Sequence, residues 1–193
     1  MNKAIFVLII LGTIAVTMTT SSVLTSAVLA ADIEGTDGND ILIGTEDDDT
    51  INSGDGNDVN SAKEGDDTIN SGDGDDFNRG DDGDDTIKSG DGDDFNDGGD
   101  GSDVIKSGDG DDRNFYGGGL GDETMKSGKG DDSNRGGDGD DKLNGGSGDD
   151  FFLGDHGADK FQCGSGEDTI VDYNPEEGDK ATGNCEGIDK NKK

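Results

Sequence analysis

The side chains best placed to do chemistry are carboxylates on a fixed beat. Aspartate recurs at Asp40, Asp49, Asp58, Asp67, Asp76, Asp85, Asp94, Asp103 and Asp112, and every step is nine residues. The register then jumps by eleven to Glu123 and resumes in nines through Asp132, Asp141, Asp150, Asp159 and Asp168, so two extra residues sit near Phe115 and Tyr116. Glycine keeps the same beat two residues ahead, as at Gly56, Gly74, Gly92, Gly110, Gly130, Gly148 and Gly166. Such a position calls for positive φ or a close backbone approach. A glycine-rich turn carrying aspartate offers carboxylate and carbonyl oxygens together, which is what a hard cation needs: calcium takes about six to eight oxygen ligands. No soft-metal set accompanies them. The one histidine, His156, falls at a variable loop position without the partners that would make it a base or a ligand, and reads as a tolerated polar substituent.

The elements that position these carboxylates must be short. Two residues past the beat stands Leu42, Ile51, Ile69, Ile87, Ile105, Met125, Leu143, Phe152, Phe161 or Ile170, in three-residue segments such as Thr68-Ile69-Asn70. The pattern predicts short strands with one inward residue each.

Stretches such as Ser107-Gly108-Asp109-Gly110-Asp111-Asp112 and Gly136-Gly137-Asp138-Gly139-Asp140-Asp141 make the chain resemble the RTX, or haemolysin-type, calcium-binding family and its nonapeptide G-G-x-G-x-D-x-U-x. The resemblance covers nearly all of residues 35 to 172. It implies an all-β, right-handed parallel β-roll, a solenoid with two nonapeptides per turn. Loops then stack on each edge, and several calcium ions sit between successive loops, held by aspartates and exposed carbonyls.

The doubling shows in the residues. Thr-Ile-Asn/Lys-Ser-Gly-Asp-Gly-Asn/Asp-Asp occupies 50 to 58, 68 to 76 and 86 to 94, alternating with units that read Phe-Asn-x-Gly. One edge therefore carries Asp58, Asp76, Asp94, Asp112, Asp132, Asp150 and Asp168, preceded by Asp40; from Asp58 on, each loop has glycine at its second and fourth positions. This edge is expected to bind best. The other carries Asp49, Asp67, Asp85, Asp103, Glu123, Asp141 and Asp159, with Thr45, Lys63, Asp81 and Asp155 in place of the second-position glycine and Asp47 in place of a fourth. Those departures, and Glu123, put its first two loops and its fifth in doubt.

Half of the inward positions are unusual. Asparagine occupies five in a row, Asn60, Asn78, Asn96, Asn114 and Asn134. Either their amides hydrogen-bond along the stack, or a one-residue slip turns Val59, Phe77 and Phe95 inward instead. Arg113 and Ser133 argue against the slip.

Composition bears on both fold and compartment. Of 193 residues, 26 % are hydrophobic and 5 % aromatic, and the formal net charge is -33, so an ordinary globular core is out of reach and something else must offset the entropy of ordering. Stacked turns about 4.8 Å apart would set rows of carboxylates against each other, which without cations should repel and unfold. Residues 1–30 differ: Lys3, an apolar run from Ala4 to Val16, then a Ser/Thr-rich stretch ending in small residues predict a secretory signal peptide, with an uncleaved anchor as the alternative. The β-roll is expected over 31–172, and a C-terminal cap and tail over 173–193. In an oxidising compartment Cys163 and Cys185 are expected to pair, tying the tail to the last repeats, although free thiols are the other reading.

These features point to a secreted or cell-surface calcium-binding protein whose folding is coupled to calcium. The rival is a structural, adhesive or ice-binding rod that uses calcium only for stiffness, its threonine row Thr50, Thr68, Thr86 and Thr124 broken by Val104 and Lys142. Enzymatic activity is not expected, since the repeats begin near residue 35 and no catalytic set appears. Nucleic-acid binding is opposed by the charge, and no small-molecule substrate is evident.

Overall fold

The structure, a computed structural model, describes residues 16–17, 30–115 and 121–188. The proposed signal peptide lies outside the described residues except for Val16–Thr17 and Ala30, as do Tyr116 beside the insertion and the tail from residue 189. Among the described residues every regular element is a strand, and all pairs are parallel.

Successive strands alternate between two sheets. One stacks β1 (Val16–Thr17), β2 (Asp32–Glu34), β4 (Thr50–Asp55), β6 (Thr68–Asp73), β8 (Thr86–Asp91), β10 (Val104–Asp109), β12 (Thr124–Lys129), β14 (Lys142–Ser147), β16 (Lys160–Ser165) and β18 (Lys180–Thr182). The other stacks β3 (Ile41–Ile43), β5 (Val59–Glu64), β7 (Phe77–Asp82), β9 (Phe95–Asp100), β11 (Arg113–Phe115), β13 (Ser133–Asp138), β15 (Phe151–His156), β17 (Asp168–Ile170) and β19 (Cys185–Ile188). This is the expected β-roll: each turn takes two nonapeptides, and Ile51 pairs with Ile69 and Ile69 with Ile87. Across the insertion the step lengthens to Val104 with Thr124 and Asn114 with Asn134, so the roll absorbs the two extra residues without losing register.

Most strands run six residues, not three. The ladder continues past Asn52 and Asn70 into the loop, pairing Gly54 with Gly72 and Asp55 with Asp73. Loops one turn apart superpose residue on residue, so their backbones keep pairing until the chain bends.

The interior is one inward residue deep from each side. The first sheet supplies Ile33, Ile51, Ile69, Ile87, Ile105, Met125, Leu143 and Phe161, all buried. Facing them are Leu42, then Asn60, Asn78, Asn96, Asn114 and Asn134, then Phe152 and Ile170. The asparagine ladder is real: each Nδ2 donates to the next Oδ1, from Asn60 to Asn78 at 2.8 Å, onward to Asn96 and Asn114 at 3.0 Å each, and to Asn134 at 2.9 Å. Every Oδ1 accepts from a serine across the core, Ser53, Ser71, Ser89, Ser107 or Ser127, and from Asn78 on this is its second bond. Val59 and Phe77 therefore face outward at 43 % and 41 % exposure, and Phe77 stacks on Phe95 with centroids 4.8 Å apart.

The ladder ends where its partners change together. Phe152 follows Asn134, whose Nδ2 is left without a hydrogen-bond partner. In the same layer the serine position holds Gly145, where a Cβ would lie 2.8 Å from Phe152 Cζ. One turn later the position holds Cys163, whose disulfide to Cys185 joins β16 to β19 and so links the two sheets at the last turn, with Cα atoms 5.5 Å apart.

Asn96→Leu should keep the roll but lower its stability by about 1–3 kcal/mol, because Asn78 Nδ2 and Ser89 Oγ lose their acceptor in a dry interior. Asn96→Phe should cost more and be partly rescued by Ser89→Gly, reproducing the Gly145–Phe152 layer. Denaturant midpoints of the single and double variants in calcium check both; equal midpoints with and without Ser89→Gly would refute the coupling.

Candidate metal-binding loops

Each loop runs six residues from the small inward residue, serine or glycine in most turns and Ala62 or Cys163 in two, to the repeat carboxylate. Two of them take a backbone form that favours glycine: in the loop ending at Asp94, Gly90 and Gly92 have φ of 120° and 137°. Close approach adds to this. A Cβ on Gly90 would sit 1.8 Å from the Gly72 carbonyl oxygen, and one on Gly92 2.2 Å from that of Gly74. The loop carbonyls thus aim along the stack, each at the glycine one turn on. Where the irregular edge lacks that glycine, Lys63, Asp81 and Asp155 are forced to φ of 92°, 77° and 67°.

The repeat aspartates turn inward beneath these carbonyls. All those predicted as ligands, from Asp40 to Asp168, and Glu123 with them, are buried at 3 % exposure or less. Past Asp40, and Glu123 apart, one oxygen of each is used to tie turns together. The backbone N–H of Asp58 donates to Asp76 Oδ1 at 2.8 Å, that of Asp76 to Asp94 and that of Asp94 to Asp112, and the relay continues through Asp132 and Asp150 to Asp168. A matching relay on the other edge joins Asp49, Asp67, Asp85 and Asp103, and resumes from Glu123 through Asp141 to Asp159.

The second oxygen is left alone. Oδ2 of Asp58, Asp67, Asp76, Asp85, Asp94, Asp103, Asp112, Asp132, Asp141, Asp150 and Asp168 is buried without a hydrogen-bond partner, as are both carboxylate oxygens of Glu123. A buried anionic oxygen with no partner is costly, and a whole row of them has the charge and the free lone pairs to hold something positive. Among the described residues no three carboxylate, imidazole or thiolate groups converge into a closed cage. The loop carbonyls that point along the stack are the other oxygens at hand, and carboxylate with carbonyl is the mixed set that suits calcium.

Asp40 and Asp49 behave differently. Thr36 donates its N–H at 2.7 Å and its hydroxyl at 2.8 Å to Asp40 Oδ2, and the Thr45 N–H donates to Asp49 Oδ2. At the N-terminal turn of each edge, then, threonine satisfies the oxygen left bare elsewhere.

Three features were not foreseen from the sequence. A second, outer relay runs through the residue before each repeat aspartate: the N–H of Asp93 donates to Asp75 Oδ1, that of Asp111 to Asp93 and that of Asp131 to Asp111. It points the opposite way from the inner one. Asp179 and Glu186 also close the two inner relays, accepting from the N–H groups of Asp159 and Asp168. Asp172 caps β15 by accepting from Gly154 and Asp155. Asp172 and Asp179 do not keep the spacing of the repeats, whereas Glu186 falls eighteen residues after Asp168, on the beat.

Burial chiefly, with neighbouring carboxylates adding to it, lifts these groups far above the usual aspartate range. Asp67, Asp76, Asp103 and Asp150 rise to about 6, Asp85, Asp94, Asp112 and Asp159 to about 7, and Asp132 to about 8. The backbone N–H each accepts opposes the rise without cancelling it. Glu123, buried against Asp141, is raised furthest. His156 is exposed on a loop, in register with Asp138.

Because Lys63 holds a backbone form that costs a side-chain-bearing residue about 1 kcal/mol, Lys63→Gly should stabilise the roll by roughly that amount. Thermal unfolding in calcium would show it as a raised midpoint; an unchanged or lowered midpoint would contradict it.

The RTX calcium-binding nonapeptide repeat family model matches the chain in four copies, over residues 32–59, 61–87, 79–113 and 135–170. No curated protein matches it. With the repeat, the parallel roll and the buried carboxylate rows in agreement, the chain belongs to the RTX calcium-binding nonapeptide repeat family.

Proposed function

We propose that this is a secreted or cell-surface protein, exported by removal of residues 1–30, that binds several calcium ions along its two loop edges and folds as it binds them. Among the described residues no helix is long and apolar enough to cross a membrane. The observation that carries the reading is the row of buried Oδ2 atoms without partners. In it the carboxylates of Asp58, Asp76, Asp94, Asp112, Asp132, Asp150 and Asp168 hold ions on the regular edge. Those of Asp67, Asp85, Asp103 and Asp141 hold them more weakly on the irregular one, and Asp159, which lies outside that row of bare oxygens, extends it. Asp40 and Asp49 serve as capping groups, since Thr36 and Thr45 occupy their second oxygens. The role is one of binding and stiffening, not catalysis.

Calcium supplies the positive charge that lets these carboxylates stay ionised in the interior. Because a preformed site is absent from the unfolded chain, binding free energy is folding free energy. Calorimetry and circular dichroism of residues 31–193 should show a largely unfolded chain without calcium, and saturable heat with gain of β signal when it is added. A fully folded apo chain with no calcium heat would refute the proposal.

Proton linkage gives a second test. The folded pKa values exceed the unfolded ones, so in calcium-free buffer the roll is favoured below pH 4 and loses that support as pH rises through 6 to 8. Calcium must displace those protons, so its affinity should rise over the same window. The apo roll should therefore give more β signal at pH 5 than at pH 8.5, and the calcium-loaded roll should reverse the order. Asp94→Asn should stabilise the apo roll and reduce calcium uptake, whereas Asp40→Asn should leave uptake unchanged, as measured by equilibrium dialysis. Equal losses from both substitutions would contradict the distinction between them.

A further inference from the structure

Positive charge is segregated on this roll. The outer face of the ten-stranded sheet carries Lys88 on β8, Lys106 on β10, Lys126 on β12, Lys142 on β14, Lys160 on β16 and Lys180 on β18, one exposed lysine on each of six adjoining strands. The first three pair side by side along one row, and the last three along the row two residues away. The positions between them on this face are Thr86, Val104, Thr124, Asn144, Gln162 and Thr182. In a chain with 48 acidic residues, none falls among these twelve positions. The next row out follows suit: Asp73, Asp91 and Asp109 give way to Lys129, Ser147 and Ser165.

Like charges set directly opposite on neighbouring strands are destabilising. Lysines placed only to offset the acidic loops would pair with acids, as Arg79 does with Asp81, Arg135 with Asp155 and Lys129 with Asp109. Among the described residues none of the six on this face forms an ion pair; Lys88 donates only to Asn70. The threonine row noted in the sequence gives way here to lysine, so this half of the face is cationic. Over β12 to β18 it dips into a depression of about 460 Å³ lined by Lys126, Lys142, Lys160 and Lys180, with Asn144 and Gln162 between them.

We propose that this face binds an extended acidic polysaccharide laid along the axis of the stack. Charge complementarity sets the sign of the ligand, and the spacing sets its form. Lysines repeat about every 4.8 Å along the axis, for roughly 24 Å over six strands, yet the two rows span only about 7 Å across. Acidic loops flank them, with Asp122 and Asp140 on one side and Asp131, Asp149 and Glu167 on the other. A single anionic chain fits between those edges. A duplex or a bilayer surface would meet the carboxylates as well. Amide and hydroxyl groups among the lysines can hydrogen-bond sugar hydroxyls, and the apolar side chains beneath, Met125, Leu143 and Phe161, are buried and give a membrane nothing to insert.

The proposal rests on the fold and not on the calcium assignment. The test is binding of fluorescent chondroitin sulfate to residues 31–193 in calcium, with dextran, duplex DNA and phosphatidylserine vesicles alongside. Chondroitin sulfate should bind and dextran should not. The Lys142→Gln/Lys160→Gln/Lys180→Gln variant should lose at least tenfold in affinity with its circular dichroism unchanged, while Arg113→Gln on the opposite sheet should stay within twofold. Equal affinity of the triple variant, tighter binding of DNA or vesicles, or no binding of chondroitin sulfate would overturn the proposal. A chain that binds chondroitin sulfate through these lysines but takes up no calcium would sink the calcium reading alone.

Discussion

Everything in this roll depends on a carboxylate buried once per nonapeptide and shared between turns. Its Oδ1 accepts the backbone N–H of the equivalent aspartate one turn earlier, as from Asp76 to Asp94 at 2.8 Å, so the group is structural glue. Through the middle turns its Oδ2 has nothing, and the charge sits in a layer where its neighbours carry the same charge. The same side chain therefore joins the turns and drives them apart. A proton removes the repulsion by neutralising the group, and a cation removes it by pairing with it. Only the cation lets the carboxylate remain a good acceptor and a charged group at neutral pH, which is why a fold with so little apolar matter can be made conditional on an ion.

The polar interior follows the same economy of layers. With only 26 % hydrophobic residues, the chain fills one side of the core with aliphatic side chains and the other with amides whose hydrogen bonds run along the axis. An amide row is tolerated in a dry interior only if each group is satisfied by its neighbours, and here the serines across the core supply the extra donor. The ladder also fixes register: a slip by one residue would expose the amides to nothing and bury Arg113. Its termination at Phe152 shows the layer as the unit of substitution. The ring takes the space of the serine as well as that of the asparagine, and the chain answers with Gly145.

What was legible in the sequence was whatever repeats. The nine-residue beat, the glycines with positive φ, the alternation of two edges and the irregular second-position residues all follow from periodicity, and Lys63, Asp81 and Asp155 do occupy the glycine conformation. The direction of the asparagines was legible because Arg113 and Ser133 stand at the alternative inward position. Hidden from the sequence were interactions that depend on the distance between turns. The outer relay through Asp75, Asp93 and Asp111 looks like surface charge until the stack brings each carboxylate to the next turn's N–H. The extension of strands to six residues has the same origin, since loop residues pair only because their copies lie directly above. Thr45 looked like a lost glycine and Thr36 carried no signal of its own; the geometry gives both the work of binding Asp49 and Asp40.

The ends are held differently from the middle turns. A solenoid held by relays has an unmatched group at each terminus, and here both edges are closed by protein atoms. At the start, Thr36 and Thr45 take the bare oxygens, and the Ala31 N–H donates to Asp49. At the finish, Asp179 and Glu186 receive the last two N–H groups, Tyr173 donates to the Asp179 carbonyl, and the disulfide holds β19 in place. These contacts need no metal. The turns between them have no such substitute, so the carboxylate repulsion is concentrated in the middle of the roll while the two ends are secured by ordinary hydrogen bonds and a covalent link. A calcium-dependent transition would then spread through the interior turns from caps that already hold the register.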